Sequence, residues 1–165
     1  MIKGGVALSG TVATGGAKNS ALPLLFATLL ADGQHCFHNV PRLMDIDSTA
    51  VLLEHLHCAV HRDNSSLLVD VSDCGGSDAP YDIVRKMRAS NPVLGPLLAR
   101  HHKAVVSLPG GCAIGARPMD IHVTALEAMG ATIELKDGYL HAEAKGGLKG
   151  AKVPLRFASV GATEN

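Results

Sequence analysis

Cys112 lies in the stretch LPGGCAIGARP, Leu108 to Pro118, where three glycines leave little room for regular structure. Gly110, Gly111 and Gly115 permit positive φ and close backbone approach, so this loop can turn its amides toward an anion. Arg117, five residues on, has the planar fork that grips phosphate or carboxylate and the charge that lowers a thiol pKa. The residues by themselves leave two roles open for Cys112, a reactive thiol and a small apolar filler in a surface turn.

Lys18 and Asn19 follow Gly15-Gly16-Ala17 at the expected start of a helix, where unpaired amides and the positive end of the helix dipole favour an anion. The glycines do not make the GxxxxGK[ST] pattern of a P-loop, and a solvated lysine is the plainer reading. Arg88, Asp120 and His122 are ordinary taken singly. Their positions near helix starts point to a shared polyanion site if those starts converge. His35, His38, His55, His57 and His61, with Cys58, invite a metal, but neither HExxH nor a CxxC…H pattern occurs, so no metal site is expected. Asp45 and Asp47 are expected to cap a helix.

The elements that must position these residues come in a repeat. Ala17 in GGAKNSALPLL, Ala89 in MRASNPVLGPLL and Ala162 in SVGATEN are 72 and 73 residues apart, and MDIDSTAVLLEHLHCAV (Met44 to Val60) resembles MDIHVTALEAMGATI (Met119 to Ile133). Units of about 10–78 and 79–155 are expected, with a third begun at 156–165, so the chain reads as truncated in its third unit. In the first unit Pro23 near a helix start and Gly33 beyond its end bracket one helix. A second runs from about Ile46 to Leu56, and Ala59 to Val71 forms a hairpin turning at Asn64-Ser65-Ser66. In the second unit Tyr81 to Arg100 is helical with a break at Pro92, Ala104 to Leu108 is a strand, and Ile121 to Met129 is a helix closed by Gly130. Ala131 to Ala144 is a hairpin with a Lys136-Asp137-Gly138 turn. His57 falls where the second unit has Gly130, a position favouring positive φ.

Composition narrows the function classes. Lys+Arg and Asp+Glu balance at 15 each, so nucleic-acid binding through bulk charge is not expected. Hydrophobic residues at 47% exclude general disorder, and aromatics at 3% leave the core to aliphatic side chains. The longest apolar run, Ala21 to Ala31, is short of the ~20 residues a membrane helix needs. Four cysteines without a CxxC pair, and no secretory leader at the N-terminus, predict a reducing, cytoplasmic location.

LPGGCAIGARPMDIH, GGAKNSALP, APYDIVRKMRAS and SVGATEN together resemble the UDP-N-acetylglucosamine 1-carboxyvinyltransferase family of enolpyruvyl transferases, over essentially the whole chain. The resemblance implies an α/β fold, the inside-out α/β barrel of repeated units known as the enolpyruvyl transferase fold, with this chain a partial first domain over 1–165 and a second domain absent. It implies transfer of enolpyruvyl from phosphoenolpyruvate to the 3′-hydroxyl of UDP-N-acetylglucosamine, without a cofactor. Cys112 would be the general acid and the residue alkylated by fosfomycin, on a loop that closes over the substrates. Lys18 and Asn19 would contact phosphoenolpyruvate, and Arg88 and Arg117 would bind phosphate or carboxylate. Arg117, Pro118, Met119, Asp120 and Ile121, with Phe157, Ala158, Ser159 and Val160, would hold the uridine nucleotide. The expected partners are these two small molecules, not nucleic acid or membrane. The family's base and a further arginine would lie beyond Asn165, so a catalytically incomplete nucleotide-sugar binding fragment is the alternative, and a shikimate-branch enolpyruvyl transferase the second. The resemblance also implies an N-terminal strand over about Ile2 to Ser9.

Overall fold

The structure is a computed structural model of the chain and describes residues 4–5, 7–84, 91–108, 119–159 and 163. Its first helix, α1 (Lys18–Ala27), forms because Leu22, Leu25 and Phe26 recur at helical spacing and bury one face. The helix opens at Lys18, so Pro23 is its sixth residue and not part of the first turn; proline has no N–H to bond back to Asn19 there. A 3-10 turn, Thr28–Leu30, tightens the end, and the Thr28 hydroxyl donates to the Leu25 carbonyl at 2.7 Å. Gly33, at φ 99°, then turns the chain into strand β1 (Gln34–Phe37).

Helix α2 (Met44–His55) buries Ile46, Thr49, Leu52 and Leu53. Asp45 and Asp47 do not cap it. Leu43 holds the N-cap position, and the two acids lie in the first turn, where they meet the positive end of the dipole. The hairpin of β2 (Ala59–Asp63) and β3 (Ser66–Asp70) follows, turning at Asn64-Ser65. Strands β1 and β2 both pair antiparallel with β3, giving the order β1-β3-β2.

The second unit opens with a short strand, β4 (Asp78–Ala79), and a helical turn, α3 (Tyr81–Val84). Beyond the residues between 85 and 90, which are not described, Asn91–Val93 form a 3-10 turn around Pro92, and helix α4 (Leu94–His101) restarts at Leu94. The break expected at Pro92 is therefore present. Strand β5 (Lys103–Ser107), helix α5 (Asp120–Ala128) and the hairpin of β6 (Thr132–Lys136) and β7 (Tyr139–Glu143) complete the unit. Asp137 and Gly138 both have positive φ, as a two-residue hairpin turn requires.

The second sheet has the order β4-β5-β7-β6. Its last three strands repeat β1-β3-β2 with the same antiparallel pairings, and β4 adds a parallel edge beside β5. One continuous apolar core, including Phe26, Leu29, Leu53, Leu56, Leu94 and Leu97, joins the helices of both units to the inner faces of the sheets. The described residues between 4 and 17 form no strand, so the expected N-terminal strand is not seen there. No helix among the described residues is long and apolar enough to cross a membrane.

Candidate functional site

At the start of α1 the backbone leaves no choice at Gly16. A Cβ there would sit 1.9 Å from the Asn39 carbonyl oxygen, because the chain leaving β1 crosses directly over this residue. Ala17 then caps α1 without a side-chain hydrogen bond, so the amides of the first turn have no side-chain cap from this residue. Lys18 extends its ammonium to the Asp45 carboxylate at 2.7 Å, tying the start of α1 to the first turn of α2. Asp45 is mostly buried and Lys18 half-buried, whereas Asn19 is exposed. A lysine that reads as solvated in the sequence is thus a positioned cation. Its partner Asp45 was not foreseen as a site residue, its only local mark being an acid at a helix start.

The second group forms at the start of α5. Met119 and Ile121 are buried in the core, while Asp120 faces solvent. Asp120 accepts the Ile121 amide at 2.9 Å and pairs through its other oxygen with the Arg156 guanidinium. This ion pair brings together the two stretches assigned to the nucleotide, 119–121 and 157–159. Phe157 and Ala158 are exposed and Ser159 is half-buried. Because Met119 and Ile121 bury their side chains, only their backbone could meet a ligand. Arg156 is a second residue the sequence did not single out; it lies next to Phe157 but 36 positions from its partner. Among the described residues, no hydrogen bond or ion pair joins Lys18 or Asn19 to this group.

One turn into α5, His122 lines a pocket of about 380 Å³ with Leu94, Gly95, Ala125, Leu126, Met129, Ala151, Val153, Leu155 and Thr163. Burial pulls its pKa below the usual histidine value, and the nearby Asp120 carboxylate opposes that shift. Cys112, Arg88, Arg117, Pro118 and Val160 lie outside the described residues. Among the described residues, no group of three or more His, Cys, Asp or Glu is placed to hold a metal ion. The histidines considered for one are instead dispersed: His55 pairs with Asp78 at 3.0 Å, His38 with the Ser66 hydroxyl at 3.0 Å, and His35 with the Ala31 carbonyl at 3.1 Å.

The architecture and these groups define a class: an α/β protein of repeated helix–strand–helix–hairpin units, with polar groups set at helix starts. Two solved structures have a similar fold. The enolpyruvyl transferase NikO from Streptomyces tendae has a TM-score of 0.71 at 24% identity, covering 86% of this chain and 31% of its own. The EPSP synthase from Acinetobacter baumannii has a TM-score of 0.72 at 18% identity, covering 94% and 36%. The fold is the enolpyruvyl transferase fold. The family model for EPSP synthase (3-phosphoshikimate 1-carboxyvinyltransferase) matches residues 2–165, and the chain belongs to that family.

Curated relatives are closer in sequence. The UDP-N-acetylglucosamine 1-carboxyvinyltransferase of Ruegeria pomeroyi is 58% identical over all of this chain and 40% of its own length. Those of Desulfatibacillum aliphaticivorans and Yersinia pestis (strain Pestoides F) are 53% and 52% identical over 39% of theirs. The chain spans about two-fifths of the length of the curated relatives it matches.

Proposed function

We propose that this chain carries part of the active site of a UDP-N-acetylglucosamine 1-carboxyvinyltransferase, acting in the cytoplasm on UDP-N-acetylglucosamine and phosphoenolpyruvate, with no cofactor. The observation that carries this reading is the 58% identity over the whole chain to a relative of that name, against 18% to the EPSP synthase structure. On this reading the 3′-hydroxyl of the sugar gives its proton to the family's base, which the resemblance puts beyond Asn165, and adds to C2 of phosphoenolpyruvate while Cys112 gives its proton to the C3 methylene. Phosphate then leaves the tetrahedral adduct, and the new methyl group loses a proton to restore the double bond.

The groups seen in the fold suit this chemistry. Lys18, held by Asp45 and beside first-turn amides without a side-chain cap, suits an anionic substrate such as phosphoenolpyruvate, with Asn19 adjacent. Arg88 and Arg117 supply further guanidinium forks for phosphate or carboxylate. The Asp120–Arg156 pair links the start of α5 to the stretch 157–159, where the nucleotide is read to bind, with Pro118 and Val160 next to these stretches in the sequence. We read residues 1–165 as part of one domain of such an enzyme, with units near 10–78 and 79–155 and a third from 156.

The test is phosphate release from phosphoenolpyruvate, with and without UDP-N-acetylglucosamine, beside a Cys112→Ala variant. Release that needs the nucleotide sugar and is lost in the variant is the outcome this reading expects of a competent polypeptide. A narrower reading, a nucleotide-sugar binding portion without turnover, draws on the Asp120–Arg156 pair alone, which links the two stretches read to hold the nucleotide. Binding of UDP-N-acetylglucosamine by calorimetry without phosphate release would select it. Release driven by 3-phosphoshikimate instead would sink both.

A further inference from the structure

Cys58 and Cys74 are both free thiols, one buried at the start of the first hairpin and the other half-buried in the connector that leaves β3. Their backbones are pinned together. The Leu56 carbonyl accepts hydrogen bonds from the amides of Gly75 and Gly76 at 3.3 and 3.4 Å. A Cβ on Gly76 would lie 2.9 Å from the Leu56 Cα, and one on Gly75 would lie 3.4 Å from the His57 imidazole. Leu56 and His57 therefore lie against Gly76 and Gly75, and the same antiparallel run brings Cys58 toward Cys74. Burial, and then the neighbouring Cys74, push the Cys58 thiol up to about 12, so it stays protonated, while Cys74 is only half-buried.

We infer that Cys58 and Cys74 form a redox-active dithiol that closes to a disulfide when it meets a small-molecule disulfide such as oxidised glutathione. The Cys74 thiolate attacks one sulfur of the reagent; the new Cys74–S bond forms as the reagent's S–S bond breaks and releases one glutathione thiolate. Cys58 then gives up its proton, its sulfur attacks the Cys74 sulfur, and the second glutathione leaves. Two protein thiols are oxidised and one glutathione disulfide is reduced to two thiols, so electrons and protons balance. The order follows from exposure: Cys74 is the less buried of the two, and Cys58 lies on the segment packed against it. The bond would fasten the end of α2 to the connector that leads into β4 and α3, beside the place where the Gly75 and Gly76 amides bond to the Leu56 carbonyl.

The experiment is to treat the full chain with excess oxidised glutathione, alkylate remaining thiols in denaturant, and identify tryptic peptides by mass before and after reduction. Arg62 separates the two cysteines, so the expected product is a pair of peptides joined through Cys58 and Cys74, two hydrogens lighter than their sum and separated by dithiothreitol. Exposed Cys36 serves as an internal control that takes up glutathione without closing a ring. In Cys58→Ser, Cys74 should keep its glutathione because nothing displaces it; in Cys74→Ser, Cys58 should remain a thiol. A wild-type chain in which Cys74 stays glutathionylated, pairs with Cys112, or remains alkylatable while Cys36 reacts would overturn the inference.

Discussion

The first unit leaves α2 for its hairpin through His57 at φ 68°, and the second leaves α5 through Gly130 at φ 98°. The hydrogen bonds around the two residues match. His57 donates to Glu54 at 3.0 Å and Cys58 to Leu53 at 3.0 Å; Gly130 donates to Glu127 at 2.9 Å and Ala131 to Leu126 at 3.0 Å. This is the left-handed helix ending in which amides beyond the last turn return to its open carbonyls. A second pair of positions reverses the choice of residue. Gly33 at φ 99° precedes β1 and accepts the Val71 amide, while His102 at φ 58° precedes β5 and accepts the Ala144 amide. Each unit meets one left-handed turn with glycine and the other with histidine. The comparison teaches that the backbone path is what the two units share, and that residue identity follows it only as far as the steric cost requires.

Arg100 breaks the symmetry most. It ends α4 in the second unit yet donates to the Leu29 carbonyl at 2.9 Å, the Val71 carbonyl at 3.3 Å and the Asp32 carboxylate, all in the first unit. With three acceptors and little exposure, Arg100→Ala should lower stability by about 2–3 kcal/mol, read as a lower urea midpoint in one cooperative transition. A change below ~0.5 kcal/mol would mean that the core alone holds the units together.

The turn residues give a paired test. A left-handed non-glycine residue costs roughly 1–2 kcal/mol, offset in part by the greater freedom glycine has when unfolded. His57→Gly should therefore raise stability by about 1 kcal/mol and Gly130→His lower it by about as much, with near cancellation in the double variant. Thermal unfolding of the three proteins checks this, and equal signs for the two single changes would end the equivalence of the positions.

Asp45→Asn removes the charge that holds Lys18. Because the lysine is half-exposed, the stability loss should stay at or below about 1 kcal/mol. If the proposed substrate site is right, the KM for phosphoenolpyruvate should rise by about two- to tenfold with kcat changed less. An unchanged KM would leave the pair structural.

The smallest effect concerns pH. His101 and His122, both in the second unit, have pKa values held below the ordinary one, by burial first and, for His101, by Arg100 next. Below the unfolded value of about 6.5 the unfolded chain binds protons that these folded side chains refuse, so this contribution is present above that pH and lost as pH falls through and below it. Stability should fall between pH 7.5 and 5.5, with a shallower slope in His101→Gln and in His122→Gln. Slopes identical to that of the wild type would locate the pH dependence elsewhere.

Much of the fold was legible because it rests on local preferences. The Asp137-Gly138 turn, the apolar face of α2, the restart after Pro92 and the left-handed position of His57 follow from backbone sterics and side-chain periodicity within a few residues. The site was legible only as residue types. That Lys18 meets Asp45 27 positions away, that Arg156 meets Asp120 across 36, and that Arg100 spans 68 to Asp32 depends on how the elements are set against one another. The glycine at position 16 was readable as a loop residue, but the Asn39 carbonyl lying over it was not.

By itself the amino-acid order determined the repeat, the helix and hairpin boundaries to within a few residues, and the chemical types available for binding anions. Tertiary structure alone decided which charges meet, which side of α5 Asp120 faces, and that Cys58 and Cys74 are neighbours. The physical reason is that turn and helix preferences act over single residues and turns of chain. Ion pairs, backbone crossings and thiol contacts are instead set by the register of the sheets and by core packing, which no short window of sequence contains.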